Sequence, residues 1–245
     1  MHFQRFHKLL KICLYFSVVC LLGFFACKSS TAPEAPPGPP ALPDLALIAA
    51  TQPANAPTQV DDYFTNSFGY LRSTFGDFDR AKGSPATGKH PEWSWLTSIG
   101  TWDIILRAKA LSENQFEWQS TVDFNEDGQV NWNRWAGNIS ADGYSGAVAF
   151  RTRDNRNVII DLTWVRDEQD ILSFLSETHE LPSTENELVI TEITARPDGT
   201  VEMVVKMADS RVKIFEANWD ASGAGSWAAF DASTGQQTGG GTWSS

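Results

Sequence analysis

The chain contains little cysteine and little histidine, which narrows the chemistry available to its side chains. Its 245 residues include three cysteines and four histidines, and the cysteines occupy positions 13, 20 and 27. After residue 27 the chain therefore cannot form disulfides or a thiolate metal centre. His90 and His179 are the histidines in that part, and neither has a second histidine at metal-ligand spacing. The sequence predicts no bound metal and no cofactor.

Basic residues are also scarce relative to acidic ones. Lysine and arginine number 19 against 30 aspartates and glutamates, a formal net charge of −11. Without the first 26 residues, which hold Arg5, Lys8 and Lys11 and no acidic residue, the balance is 16 against 30, or −14. Such a surface repels phosphate backbones and anionic lipid headgroups. Nucleic acid is therefore excluded as an expected partner.

An apolar run long enough to span a membrane as a helix is missing near the N-terminus. The stretch from Ile12 to Ala26 has 15 residues, whereas a spanning helix needs about 20. Positive residues precede this stretch, and the small residue Ala26 is followed by Cys27. This arrangement resembles the signal peptide of a bacterial lipoprotein precursor, with residues 1–26 as the signal.

The resemblance to lipoproteins implies a lipid anchor. Cys27 would carry a thioether-linked diacylglycerol, usually with a third acyl chain on its amine, and several acyl chains hold a protein stably on a bilayer. Lys28 stands where aspartate commonly marks inner-membrane retention in Gram-negative lipoproteins, which favours the outer membrane, facing the periplasm. The alternative is an ordinary secreted protein with a free Cys27 thiol.

Residues 27–59 have the composition of a tether that follows the acylated cysteine. Eight of the twelve prolines lie between Lys28 and Gln59, mixed with alanine, threonine and serine. Proline-rich segments favour extended polyproline II conformations. Leu45, Leu47 and Ile48 interrupt this composition and are candidates for docking on the domain that follows.

Residues 58–80 have the periodicity of an amphipathic helix. Thr58 and Asp61 resemble a capping pair at its start. Apolar residues recur every three or four positions along one stripe: Val60, Phe64, Phe68, Leu71, Phe75 and Phe78. We interpret the four phenylalanines as a packing face against a sheet rather than as a cofactor site.

From Ser98 onward the hydrophobic period is two, which is typical of strands. Turn sequences such as Asp142-Gly143 and Asp198-Gly199 separate the alternating runs. The pattern predicts an all-β domain over residues 60–245, an antiparallel meander of about ten strands forming a barrel or a sandwich behind the N-terminal helix. Residues 171–184 break the alternation and predict a longer loop or a short helix, and residues 227–243 predict a glycine-rich hairpin.

Gly100-Thr101-Trp102 is placed at the start of the first strand of this meander. The tripeptide resembles the Gly-x-Trp motif that begins lipocalin-like β-barrels. The resemblance implies that Trp102 packs across a closed barrel end, beneath an apolar ligand cavity. Gly241-Thr242-Trp243 matches the same short pattern, so the alternative is a glycine that simply allows a tryptophan to close a hydrophobic end.

The ten tryptophans, all after residue 90, are numerous for a domain of this size. Indole rings stack on sugars and line apolar pockets, although most strand tryptophans lie in the core. In a regular strand Trp132 and Trp135 would face opposite sides, so one of them should be exposed. We therefore predict a ligand-binding surface that includes Trp118, Trp132 and Trp135.

Residues 123–130 match the first eight positions of an EF-hand calcium loop. Asp123, Asn125 and Asp127 take the first ligand positions, and Gly128 follows. Position twelve is Arg134 rather than the bidentate glutamate, and the flanking segments are predicted strands. We interpret the segment as a hairpin turn without metal.

Catalytic signals are sparse. Two carboxylate pairs, Glu177 with Glu180 and Asp103 with Glu117, are candidates for glycoside hydrolysis, although solvated surface carboxylates explain them equally simply. The leading hypothesis is a non-enzymatic envelope lipoprotein that binds a small apolar or glycan ligand or a protein partner. The alternatives are an envelope hydrolase that acts on glycan and a structural or assembly lipoprotein.

Overall fold

The structure, a computed structural model, shows one helix and thirteen strands over the residues that it describes. These residues are 38–44, 53–124, 131–154, 156–179 and 188–245. The helix is α1 (Thr58–Ala81). The strands are β1 (Thr87–Lys89), β2 (Glu92–Ile99), β3 (Trp102–Ser112), β4 (Gln115–Asp123), β5 (Trp132–Ser140), β6 (Ser145–Arg151), β7 (Val158–Arg166), β8 (Leu172–Thr178), β9 (Val189–Ala195), β10 (Val201–Met207), β11 (Lys213–Trp219), β12 (Gly225–Phe230) and β13 (Gln237–Trp243).

All thirteen strands form one antiparallel sheet in chain order, from β1 to β13. The predicted all-β meander behind an N-terminal helix is therefore confirmed. Within the described residues no pairing joins β1 to β13, so these two strands are the edges of the sheet. The predicted hairpin over residues 227–243 is also confirmed, because β12 pairs antiparallel with β13.

Aspartates hold the turns between many of the strands. Each accepts a hydrogen bond from the backbone N–H two residues further on: Asp142, Asp154, Asp167, Asp198, Asp220 and Asp231. Such bonds stabilise the turn and favour the ionised carboxylate. Hydrogen bonds from Ser233 and Thr234 lower the pKa of Asp231 to about 2.

The apolar stripe of α1 packs on the inner face of the sheet, as the periodicity predicts. Its four phenylalanines are almost completely buried. Their rings contact strands that are far apart in the sheet: Phe64 lies 5.5 Å from Trp219 of β11, Phe68 4.9 Å from Phe174 of β8, Phe75 5.8 Å from Trp164 of β7 and Phe78 4.9 Å from Trp118 of β4. Because one helix touches strands from β4 to β11, the sheet must curve around it.

The start of α1 differs from the prediction. Pro57, not Thr58, is the N-cap residue, and it makes no side-chain capping hydrogen bond. Its carbonyl oxygen accepts hydrogen bonds from the N–H groups of Val60 and Asp61. Thr58 is already helical, so the predicted capping pair with Asp61 is wrong. No helix among the described residues is long and apolar enough to cross a membrane.

Three strands lie wholly or mostly where the sequence analysis placed none. Residues 172–178 form β8, with Leu172, Phe174 and Ser176 facing inward, so the predicted loop or short helix is wrong there. The alternation is hard to recognise in the sequence, because the buried Ser176 occupies an inward position where an apolar residue is expected. The sheet also begins earlier than Ser98, since β1 and β2 precede it.

The lipocalin-like motif therefore does not open the first strand. Gly100 and Thr101 form the turn between β2 and β3, and Trp102 begins the third strand. Trp102 is 49% exposed, so it does not pack across a closed end. The inner side of the sheet, where the resemblance placed an apolar cavity, holds α1.

Part of the predicted tether lies on the domain. Pro43 and Pro53 are buried, and Leu42 packs against the main core. A Cβ added at Gly223, in the turn before β12, would lie 2.6 Å from the backbone nitrogen of Ala54. The compact unit that contains α1 and the sheet spans Gly38–Ser245. Cys27 and the three apolar docking candidates at 45, 47 and 48 lie outside the described residues.

Candidate functional site

A bulge in β5 determines which side of the sheet each of its residues faces. Trp135 pairs with Ser120 of β4, and Asn133 pairs with the next residue, Thr121, so Arg134 has no partner in the register. The extra residue places Trp132 and Trp135 on the same, inner side. The prediction that one of these tryptophans must face outward is wrong, because it assumed a regular strand.

On the inner side, the bulge brings Arg134 and Trp135 to one buried carboxylate of α1. The Oδ2 atom of Asp77 accepts hydrogen bonds from Ser120 Oγ at 2.7 Å and from Trp135 Nε1 at 2.9 Å. It also lies 3.1 Å from Arg134 Nη2, while Arg80 Nη1 donates to Oδ1 at 3.1 Å. We call these five residues the Asp77 network.

The network ties the end of α1 to β4 and β5. Arg134 Nη2 also donates to the carbonyl oxygen of Ser73, at 2.9 Å, and to the Ser73 hydroxyl. Burial lowers the pKa of Arg134, and the negative charge of Asp77 opposes this shift. Arginine nevertheless stays protonated at all relevant pH values, so Arg134 and Asp77 form a buried ion pair. Removal of either side chain would leave the charge of the other buried and uncompensated.

On the outer side, the same strands line an open cleft of about 920 Å³. Its walls come from β1 to β5 and carry mainly polar side chains. The residues used below are Lys89, Glu92, Arg107, Lys109, Glu117, Gln119 and Asn133. The bulge matters here as well, because Asn133 faces outward into the cleft while the next residue turns inward.

The strand register arranges the cleft side chains in two rows. Arg107 of β3 lies opposite Gln119 of β4, which lies opposite Ala136 of β5. In the next row Lys109 lies between Glu92 and Glu117. Side chains that are directly opposite lie about 5 Å apart at Cβ. The guanidinium of Arg107 therefore lies beside the amide of Gln119, and the ammonium of Lys109 lies between two carboxylates.

A short hairpin forms one wall of the cleft. β1 pairs with β2 through three residues, and Thr87 Oγ1 lies 2.9 Å from Ser94 Oγ. The ring of His90, in the connecting turn, contacts the edge of Trp93 at a centroid distance of 5.8 Å. The opposite wall is fixed by Arg107 Nη1, which donates to Thr121 Oγ1 at 3.2 Å. These contacts join β1 to β2 and β3 to β4 around the cleft.

None of the three predicted binding tryptophans lines this cleft. Trp118 is 1% exposed and Trp135 is fully buried against Phe78, so both belong to the core. Trp132 is half-buried, packs on Val122 and its neighbours, and donates its indole N–H to the carbonyl oxygen of Arg151 at 3.0 Å. Ligand binding by these residues stays a prediction.

The predicted carboxylate pair of Asp103 and Glu117 does not come together. Asp103 lies opposite Asp123, whereas Glu117 lies opposite Lys109, six residues along β3. That offset corresponds to about 20 Å. The sequence analysis treated both residues as strand residues without a register and so could not detect the separation.

The other predicted pair is only half described. Glu177 accepts a hydrogen bond from Arg211 Nη2 at 3.1 Å, whereas Glu180 lies outside the described residues. On the same face, His179 Nε2 lies 2.8 Å from Asp161 Oδ2.

The calcium-like turn is also mostly outside the described part of the chain, because residues 125–130 are not described. Among the described residues no cluster of three or more histidine, cysteine, aspartate or glutamate side chains suits a metal ion.

The cleft residues were missed because they come from five strands that only the register brings together. One signal for them was available: the outward positions of β3 and β4, among them Arg107 and Gln119, alternate with apolar residues.

The chain has no significant match among protein-family profiles, curated proteins or solved structures. The function is therefore argued from the cleft itself.

Proposed function

We propose that the protein is a lipid-anchored lipoprotein of the outer membrane, facing the periplasm, whose β domain binds a glycan without catalysis in the cleft of β1 to β5. The observation that carries the proposal is the group of polar side chains that the cleft presents, among them Arg107 and Gln119. Amide and guanidinium groups are planar and present two hydrogen-bonding atoms each, which suits neighbouring sugar hydroxyls.

The division of the sheet into two faces favours a glycan over an apolar ligand. On the inner face α1 packs its phenylalanine rings against the sheet, where an apolar ligand would otherwise bind. The cleft, in contrast, presents the side chains of Arg107 and Gln119. Burying such groups under an apolar ligand would leave hydrogen-bonding atoms unsatisfied, whereas hydroxyl groups of a sugar satisfy them.

The charge of the cleft favours a glycan that carries a carboxylate. Lys89, Arg107 and Lys109 face Glu92 and Glu117, so the cleft has one excess positive charge in a chain whose net charge is −11. This local positive charge attracts an anionic ligand and orients it. We therefore infer that the preferred sugars are acidic.

The test is calorimetric titration of the full chain in detergent with two probes. One is a soluble peptidoglycan fragment that contains muramic acid, and the other is chitotetraose, which has no carboxylate. The fragment should bind more tightly, and Arg107→Gln should weaken its binding about tenfold, which corresponds to about 1.4 kcal/mol. Thr163→Ala, on the outer face of β7, is the matched control. Unchanged binding by Arg107→Gln, or no binding of either probe, would refute the glycan site.

A second candidate function is glycan hydrolysis, which one specific arrangement favours. Glu92 and Glu117 flank Lys109 across three adjacent strands. Strand spacing of about 4.8 Å places their backbones about 10 Å apart, close to the carboxylate separation of inverting glycosidases. If the cleft is catalytic, Glu117→Gln should abolish release of reducing ends from peptidoglycan, while Glu113→Gln in the β3–β4 turn should not. Absence of hydrolysis by the unaltered protein leaves binding as the function.

The anchor has its own test. Cys27→Ala should move the protein from the membrane fraction to the soluble fraction, because acylation needs this thiol. Cys20→Ala is the matched control, since Val19 is not the small residue that signal cleavage requires and this variant should stay on the membrane. Continued membrane association of Cys27→Ala would exclude a lipid anchor at that residue.

A further inference from the structure

The turn between β2 and β3 differs from the aspartate turns of the sheet, because it carries exposed apolar side chains and no charge. Residues 99–102 read Ile-Gly-Thr-Trp. Ile99 is 42% exposed and Trp102 is 49% exposed, which makes Trp102 the most exposed of the ten tryptophans. Leu96, three residues before this turn, is 56% exposed. We call residues 96–102 the apolar tip.

The exposed side chains of the apolar tip lie on both faces of the hairpin. Side chains alternate along a strand, so Leu96 points to the outer face, whereas Ile99 points to the inner face. Trp102 pairs with Ile99 and lies on the inner face as well. A protein partner that packs on the sheet would cover one face, whereas a bilayer surrounds an inserted tip on both. The two-sided exposure therefore favours a lipid surface.

The tryptophan of the apolar tip suits the boundary between hydrocarbon and headgroups. The ring of Trp102 lies against Phe124 with its centroid 5.4 Å away and the two planes nearly perpendicular, which holds it at the end of the sheet. The guanidinium of Arg153 covers the Phe124 ring at 4.1 Å. Indole has an apolar body and a polar N–H, and tryptophan is enriched at membrane interfaces for this reason.

The tether meets the domain on the side that carries the apolar tip. Asp44 Oδ2, in the described part of the tether, lies 3.4 Å from Nζ of Lys82, which follows α1. Two residues further on, Ser84 Oγ lies 3.5 Å from Oγ1 of Thr97 in β2. Thr97 is on the same strand as Ile99 and two residues before it. The contact between tether and domain is thus close to the tip.

The length of chain before this contact limits how far the domain can lie from an anchored Cys27. Ten residues separate Cys27 from Gly38, where the described chain begins. Extended backbone spans at most about 3.6 Å per residue, so an acyl group on Cys27 would keep Gly38 within about 40 Å of the bilayer. This limit is about the diameter expected for a domain of this size. The side of the domain at which the tether arrives is therefore the side that can reach the membrane.

We propose that the apolar tip inserts into the interfacial region of a zwitterionic lipid bilayer beside the anchored Cys27. The lipid is zwitterionic because a chain with a net charge of −11 is repelled by anionic headgroups. The inference rests on the lipid anchor of the proposed function. It does not depend on the glycan cleft, because no residue of the tip lines that cleft.

Quenching by brominated lipid tests the contact. The unaltered full chain, anchored on phosphatidylcholine vesicles, should lose part of its tryptophan emission when the acyl chains of the lipid carry bromine. Trp102→Phe keeps an aromatic ring beside Phe124 but removes the fluorophore, so this loss should disappear. Trp243→Phe, in the edge strand β13, is the matched control and should retain the loss.

A label at the tip gives a second measurement that changes no apolar side chain. In a C13A/C20A background, which leaves Cys27 for acylation, Thr101→Cys carries an environment-sensitive fluorophore in the turn between β2 and β3. Its emission should shift to shorter wavelength when the chain is anchored on phosphatidylcholine vesicles. Glu113→Cys, in the turn at the opposite end of β3, is the control and should show no shift.

Flotation of the vesicles separates this inference from the anchor on which it rests. If the unaltered chain floats with the vesicles but Trp102→Phe is quenched equally, or the label at position 101 shows no shift, the tip does not enter the bilayer although the anchor stands. If the unaltered chain does not float, the anchor is wrong and the inference fails with it. Unchanged circular dichroism confirms that each variant is folded.

Discussion

On the inner face of β4, the side chains of Trp118 and Ser120 meet α1, whereas on the outer face the intervening Glu117 and Gln119 line an open cleft. The same backbone thus carries two independent sets of contacts. Inner side chains are buried, and each has a specific partner on the helix. Outer side chains are polar and partly exposed. The comparison suggests that the inner face determines stability and the outer face determines binding.

The largest effect on stability is expected from the aromatic part of the inner face. Phe78→Ala should lower the free energy of unfolding by about 3–5 kcal/mol, because it opens a cavity between α1 and the rings of Trp118 and Trp135. Urea unfolding followed by tryptophan fluorescence measures the change. A loss below about 1 kcal/mol would mean that the helix does not fill the curved sheet as described.

The next largest effect is expected from the Asp77 network. Asp77→Asn keeps the shape but leaves the buried charge of Arg134 uncompensated, which should cost about 2–3 kcal/mol. Asp79→Asn, two residues further along α1, is the matched control because Asp79 pairs with Lys82 at the surface. The control should cost less than about 1 kcal/mol. Equal losses in the two variants would contradict the assigned role of Asp77.

A smaller effect that depends on pH is expected from the aspartate turns. Hydrogen bonds lower the pKa of Asp231 from its ordinary value of 3.8 to about 2, so its stabilising contribution is present above pH 4 and is lost as the pH falls towards 2. At pH 6, Asp231→Asn should melt at a lower temperature than the unaltered chain. The difference should shrink as the pH falls below 4 and vanish below pH 2, where the carboxyl is protonated in both the folded and the unfolded state. A difference that is independent of pH would show that the carboxylate charge is not involved.

The smallest effect on stability is expected on the outer face. Gln119→Ala should change the free energy of unfolding by no more than about 0.5 kcal/mol, because its side chain fills no core space. The same variant should weaken binding of the muramic acid fragment. A large loss of stability would instead show that Gln119 contributes to the packing of the core, and the two faces would then not differ in role.

Much of the fold could be predicted from local patterns. The stripe from Val60 to Phe78 predicted α1 to within one residue at its end, and alternation together with Asp-Gly turns predicted the meander. Both signals are periodic and depend on neighbours in sequence. β8 was missed because Ser176 is a buried polar residue at an inward position. β1 was missed because its three residues are all exposed, and β2 because its alternation is limited to Trp93 and Trp95.

The candidate site was less accessible to such reasoning. A single unpaired residue, Arg134, reverses the facing of half of β5, and nothing in the local composition marks that bulge. The wrong parity of Trp132 and Trp135 and the missed pairing of Asp77 with Arg134 have this one cause. The distance between Asp103 and Glu117 likewise depends on register, which the partner strand sets.

Local sequence patterns were enough to predict an N-terminal helix followed by an antiparallel meander, because the periods of helix and strand are properties of neighbouring residues. It also determined the acidic charge and the single cysteine after the apolar N-terminal stretch. The curvature of the sheet around α1, the contact of Asp77 with Arg134, the cleft on the outer face and the position of β13 at an edge became visible in the folded structure alone. Each of these depends on contacts between residues far apart in the chain, and such contacts are selected by packing and register.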